Sequence, residues 1–163
     1  MSLRSLLFVP GLISLFFAIG CGGGSGEKLV PVAGKLLVDG TPLDGVVVTF
    51  VPEKANSAGG TGMTDATGAF SVASLDQNLP GLPPGKYILT YSRMRLPDGS
   101  AASEPKAGTP ADPGIIRVET LPSHLQTPNS KVLANQVVIP EDGNTKLDLK
   151  VSKTMSPGQM GPG

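Results

Sequence analysis

Val46-Val47-Val48-Thr49-Phe50-Val51-Pro52, led in by Thr41-Pro42-Leu43-Asp44-Gly45, is the stretch on which the fold class turns. Successive side chains of an extended chain point to opposite faces, so Val46, Val48 and Phe50 share one face and Val47, Thr49 and Val51 the other. β-Branched and aromatic residues suit such a pleated surface, and Pro52 stops the ladder because proline has no amide hydrogen to donate. The same period of two recurs on both sides. Upstream, Val32, Gly34, Leu36 and Val38 share a face, and Asp39-Gly40-Thr41-Pro42 supplies turn chemistry. Downstream, Gly60 to Thr64 and Ala69 to Ala73 flank Asp65-Ala66-Thr67-Gly68, where Asp opens a type I turn and Gly accepts the positive φ of the bulge after it. A hairpin is expected there.

Pro83-Pro84-Gly85 precedes Lys86 to Arg93, in which Tyr87, Leu89 and Tyr91 alternate with Ile88, Thr90 and Ser92. Asn135 to Ile139 and Thr145 to Val151 are separated by Pro140-Glu141-Asp142-Gly143-Asn144, and Leu147, Leu149 and Val151 alternate with Lys146, Asp148 and Lys150. About seven such strands without helical periodicity predict an all-β chain, an antiparallel β-sandwich around a single core. The 22 Gly and 16 Pro among 163 residues suit many short strands joined by turns and disfavour long helices. Thirteen basic and 13 acidic residues balance to a formal charge of zero, which argues against a nucleic-acid partner and against attraction to an anionic membrane face.

The first residues read as an export signal. Met1 to Arg4 is a short positive start, Leu6 to Ile19 is almost wholly apolar, and Ala18-Ile19-Gly20 leads with small residues into Cys21. The apolar run is about 14 residues and is broken by Pro10-Gly11, short of the roughly 20 that a membrane-spanning helix needs. Ala18-Ile19-Gly20-Cys21 resembles the bacterial lipobox, with Ala18 where that family usually has Leu. The resemblance implies removal of residues 1–20 and conversion of the Cys21 thiol to a lipid thioether. Cys21 is the only cysteine, so no internal disulfide is available to it. Acyl chains, each methylene adding about 0.8 kcal/mol, would hold the protein on a membrane without a spanning helix. Gly22-Gly23-Gly24-Ser25-Gly26 then makes residues 21–29 a flexible tether; it completes no phosphate-binding motif.

Val32-Ala33-Gly34-Lys35-Leu36, Thr41 to Phe50, Thr64-Asp65-Ala66-Thr67-Gly68-Ala69-Phe70 and Leu82-Pro83-Pro84-Gly85-Lys86-Tyr87 resemble, in order and spacing, the successive signatures of carboxypeptidase-regulatory-like domains. Leu121-Pro122-Ser123-His124-Leu125 with Thr127-Pro128-Asn129-Ser130 is similar to a segment of small bacterial lipoproteins carrying that domain, where an aromatic often stands at the position of Leu125. The resemblance covers roughly Val30 to Val151 and implies a seven-stranded Greek-key, prealbumin-like or Ig-like sandwich, used as an accessory, binding or structural module. It carries no catalytic residues over. The expected organisation is a signal peptide at 1–20, lipidated Cys21 and tether at 21–29, the sandwich at 30–152 with a long surface loop at 94–134, and a disordered tail at 153–163.

The residues offer little for catalysis. His124 is the only histidine, so the His pairs of most zinc hydrolases are missing, and in a Pro-rich loop it reads as a solvated side chain. Ser103-Glu104-Pro105-Lys106 satisfies SxxK, but Pro105 opposes the helix that would bring Lys106 to Ser103. Asp39, Asp44, Asp98 and Asp142 directly precede glycines and Asp65 opens the turn that ends at Gly68, positions where carboxylates cap backbone donors. No calcium-loop motif occurs, and no cofactor or metal is expected. Phe50, Phe70, Tyr87 and Tyr91, the aromatics left after the signal, all fall on inward faces, which weakens a carbohydrate-binding reading. An adhesin-like sandwich locked by a Lys35–Asn144 isopeptide bond is a further alternative, and a loop-based hydrolase using Ser103 another. The leading expectation is a non-enzymatic, monomeric lipoprotein of the cell envelope, on the periplasmic face or the outer surface, acting through a protein partner.

Overall fold

The computed structural model describes residues 27–101, 114–129 and 135–154. The signal at 1–20, Cys21, the Gly/Ser run to Gly26, the Ser103–Lys106 motif and the tail beyond Thr154 lie outside the described residues. The described chain is mostly β, as its period of two predicts. One sheet is built around β1 (Val32–Val38). β11 (Asn144–Val151) lies along one side of it, and the other side is shared by β2 (Thr41–Pro42), opposite Leu37 and Val38, and β5 (Ala69–Ser71), opposite Ala33 to Lys35. The second sheet runs in the order β10 (Gln136–Ile139), β7 (Gly85–Ser92), β3 (Val47–Pro52), β4 (Gly60–Met63), β6 (Ala73–Ser74). A small ladder pairs β8 (Met94–Arg95) with β9 (Val118–Glu119).

The inward faces named by the alternation are the buried ones. Leu36 and Val38 on β1, Val48 and Phe50 on β3, Tyr87, Leu89 and Tyr91 on β7, and Leu147, Leu149 and Val151 on β11 meet in one apolar cluster, consistent with a β-sandwich. Phe50 sits at its centre, with ring centroids 6.4 Å from Phe70 and 6.1 Å, edge to face, from Tyr87. Pro52 ends β3 as its missing donor requires. The turn at the head of β7 is braced by its own strand: the Tyr87 hydroxyl donates to the Pro83 carbonyl at 2.7 Å, with the Ala58 carbonyl 3.4 Å away. This ties Leu82-Pro83-Pro84-Gly85 onto the core by a side chain four residues on.

Three features depart from the sequence expectation. First, β1 and β11 pair parallel, with Leu36 opposite Leu149, while the other described ladders are antiparallel. The reason is a crossing: the turn at Pro140 to Gly143, closed by a Gly143 N to Pro140 O bond, carries the chain from the edge of one sheet to the edge of the other. Second, the expected hairpin parts. The Asp65–Gly68 turn forms, with Gly68 at φ +78° and the Asp65 carboxylate accepting from the Thr67 and Ala69 amides. The outgoing arm then divides: Ala69–Ser71 joins β1 and Ala73–Ser74 joins β4, the switch falling at buried Val72. Third, the segment expected as a long surface loop is partly docked. Besides β8 and β9 it forms a one-turn helix α1 (Ser123–Gln126), and Leu121 and Leu125, four residues apart, both enter the core.

Strand directions define two ends. At the proximal end, where the chain runs into β1, lie the β3–β4 turn, the β6–β7 turn and the Pro140–Gly143 turn. At the distal end lie Asp39-Gly40, the link from β2 into β3, the Asp65 turn, the β8–β9 ladder and α1.

Candidate functional site

The proximal end is where the chain leaves toward Cys21. Val30 and Leu82 exchange backbone hydrogen bonds at 2.8 and 3.0 Å, and the chain is held again at Glu27. The Glu27 carboxylate accepts from the Ser57 hydroxyl at 2.8 Å and from Lys54 Nζ at 3.1 Å. Those two contacts, Ser57 before Lys54, keep its pKa below the ordinary value. The segment that would carry a lipid thus issues from a fixed point on the domain.

The distal end carries the one dense charge cluster among the described residues. Arg93 and Arg95 both grip Asp44: Arg93 Nη2 lies 2.9 Å from Oδ1, Arg95 Nη2 2.6 Å from Oδ2, and both guanidinium groups also donate to the Asp44 carbonyl. The Arg95 side chain is 7% exposed and Asp44 50%, so a buried cation is held by a half-exposed anion. Gly45 makes room for it: its φ is +66°, and a Cβ there would sit 2.7 Å from the Arg95 guanidinium nitrogens. The Arg93 hydrogen bond, helped by the charges of Arg95 and Arg93, outweighs the burial cost and holds the Asp44 carboxyl below its usual value. Glu119 on β9 closes the cluster, accepting from the Ser92 hydroxyl at 2.6 Å, the Arg93 amide at 2.8 Å and the Leu121 amide at 2.9 Å. Burial works to raise its pKa, but these hydrogen bonds, led by Ser92, outweigh burial and lower it. Around this framework Met63, Met94 and Val118, with Ile115 and Ile116 just before β9, are exposed apolar residues.

The other residues singled out by sequence are placed as follows. The His124 ring on α1 is half-buried, with Nε2 3.3 Å from the Ser152 carbonyl, rather than free in solvent. Lys35 is opposite Asp148 and Asn144 opposite Val32, so the register does not bring Lys35 and Asn144 together; Asn144 Oδ1 accepts from the Lys146 amide instead. Asp98 caps its own turn, accepting from the Ser100 amide and hydroxyl, whereas Asp39 accepts from the Ser152 hydroxyl and the Lys153 amide and so ties the chain after β11 to the turn after β1. Among the described residues no three His, Cys, Asp or Glu side chains converge as a metal site would require. Phe50, Phe70, Tyr87 and Tyr91 are all core residues. A groove of about 180 Å³ between Glu53, Lys86, Tyr87 and Gln136 to Val138 is smaller than the roughly 300–1,000 Å³ of small-molecule sites.

Sequence reading missed Arg93, Arg95 and Glu119. Two arginines flanking one residue were visible, but their anion lies some fifty positions upstream, and nothing local pairs them. Searches against protein families, curated proteins and solved structures found no match for this chain.

Proposed function

We propose that this protein is a non-enzymatic lipoprotein of the cell envelope, held on a membrane by a lipid on Cys21 and acting through protein contacts made by its distal end. The finer fold we assign is the seven-stranded Greek-key, prealbumin-like sandwich to which the turn signatures are similar. One observation carries the functional reading: the chain toward Cys21 issues at the proximal end, beside Glu27 and Val30, whereas the exposed Met63, Met94, Ile115, Ile116 and Val118 cluster with Arg93, Arg95 and Asp44 at the other. An anchored module presents the end opposite its tether, and apolar residues rimmed by charge are the composition of a protein interface. The carbohydrate-binding alternative is weaker, since it needs exposed aromatic platforms and the aromatics of the sheets are buried.

Two measurements test this. Cys21→Ala should move the protein from the membrane to the soluble fraction and abolish labelling by a fatty-acid probe; unchanged retention refutes the anchor. A photo-crosslinking side chain at Ile116 should capture a discrete protein in cells, while one at exposed Lys146, near the proximal start of β11, should not; equal capture at both positions refutes the distal interface.

A further inference from the structure

Two leucines project from the proximal end. Leu75 is 62% and Leu79 52% exposed, and both belong to the turn between β6 and β7. That turn is not a loose loop. The Ser74 amide donates to the Leu79 carbonyl at 2.9 Å, the Asn78 amide to the Ser74 carbonyl at 3.0 Å, and the Leu75 amide to the Gly59 carbonyl at 3.0 Å, with Ala73 and Pro80 bridged behind it. A fixed backbone thus presents two apolar side chains, with little ordering left to lose on contact.

Their position relative to Cys21 gives them a meaning. The turn continues into Leu82, which is bonded to Val30, so the leucines stand beside the point from which the chain leaves the domain. From Glu27, which is tied to Lys54 and Ser57, six Cα steps lead back to Cys21. Even fully extended they span only about 20 Å. A lipid on Cys21 therefore keeps this end of the domain within one short reach of the bilayer. The eight-residue β7 sets the distal end about 25 Å farther along.

We infer that the Leu75–Leu79 turn is a second, apolar membrane contact that inserts both leucines at the bilayer surface and fixes how the anchored domain stands on it. The inference rests on the lipid anchor proposed above and adds a site to it. The charges of the proximal end point to the kind of lipid. Glu27, Glu53, Asp76, Glu141 and Asp142 stand against Lys28, Lys54, Lys86 and Lys146, so this end carries no excess of positive charge to gather anionic headgroups. The surface fits a zwitterionic bilayer, entered by apolar side chains to about the 5–10 Å depth of other interfacial contacts.

The chain has no tryptophan, which makes a single introduced indole an unambiguous reporter. Full-length lipidated protein carrying Leu79→Trp, Leu75→Trp or the distal control Met63→Trp would be reconstituted on phosphatidylcholine vesicles containing chain-brominated phosphatidylcholine. Flotation reports the anchor; indole quenching reports the turn. The inference expects all three proteins to float, the Leu75 and Leu79 reporters to shift to the blue, and bromine to quench them several-fold more than the Met63 reporter. Proteins that float with equal quenching at all three positions overturn the membrane contact and leave the anchor standing. Proteins that do not float overturn both.

Discussion

Replacing Tyr87 by Phe removes one oxygen atom from the brace under the β6–β7 turn. The ring keeps its place against Phe50, so the apolar contribution is unchanged and the effect reads the hydrogen bond alone. The lost bond is the 2.7 Å contact to the carbonyl of Pro83, which is itself fully buried. A buried acceptor left without its donor costs about 1–3 kcal/mol. For a domain of this size each kcal/mol lowers Tm by roughly 4 °C, so Tyr87→Phe should melt about 4–12 °C below the parent. Tyr91 supplies the control. It is equally buried, burial pushes its phenol pKa well above the ordinary value, and its hydroxyl has no hydrogen-bond partner among the described residues. Tyr91→Phe discards a desolvated group that bonds nothing, and should leave Tm unchanged or raise it. Thermal unfolding of the purified protein followed by circular dichroism measures both. Equal losses for the two variants would refute the assignment of the Tyr87 hydroxyl as the brace.

Other outcomes follow from the distal cluster and the docked segment. Gly45→Ala meets both a positive φ and the Arg95 guanidinium, and should lower the urea midpoint by the equivalent of about 1–3 kcal/mol; a neutral result would mean that the Arg95 side chain sits elsewhere. Because the Asp44 pKa is depressed in the folded protein, its contribution is present above the unfolded value of about 3.9 and is lost as pH falls through the lower folded value. Asp44→Asn should therefore flatten the acid limb of stability below about pH 4, by no more than about 1 kcal/mol for a half-exposed carboxylate, and an unchanged limb refutes the role given to Arg93 and Arg95. Leu125→Ala should cost about 2–4 kcal/mol by equilibrium unfolding, as for other core leucines, and a loss below about 0.5 kcal/mol would show that α1 is not part of the core.

The strands were legible because each is a local pattern. Val46 to Val51 and Lys146 to Val151 declare their inward faces by alternation alone, and both are buried as read. The turn chemistry at Asp65 to Gly68 was equally local. What escaped were decisions made between distant parts of the chain. Nothing in Ala69 to Ser74 announces that Val72 divides the strand between two sheets, since that depends on β1 and β4 being already in place. Leu121 and Leu125 look like two leucines in a polar, Pro-rich stretch until a vacancy over β7 gives them somewhere to go. The Arg93–Asp44–Arg95 clasp joins the lead-in of β3 to β8, so its charges read separately as an ordinary turn and an ordinary loop.

The parallel pairing of β1 with β11 bears on when the fold can close. The first strand to emerge has as its neighbour the last one made, and Leu147, Leu149 and Val151, a whole wall of the core, arrive only with that last strand. Contacts of such wide separation form slowly. A chain emerging amino-terminus first therefore lacks this wall of its core until β11 has emerged. Were the chain exported as proposed above, this topology would act as a timer, leaving the fold open until β11 has passed through.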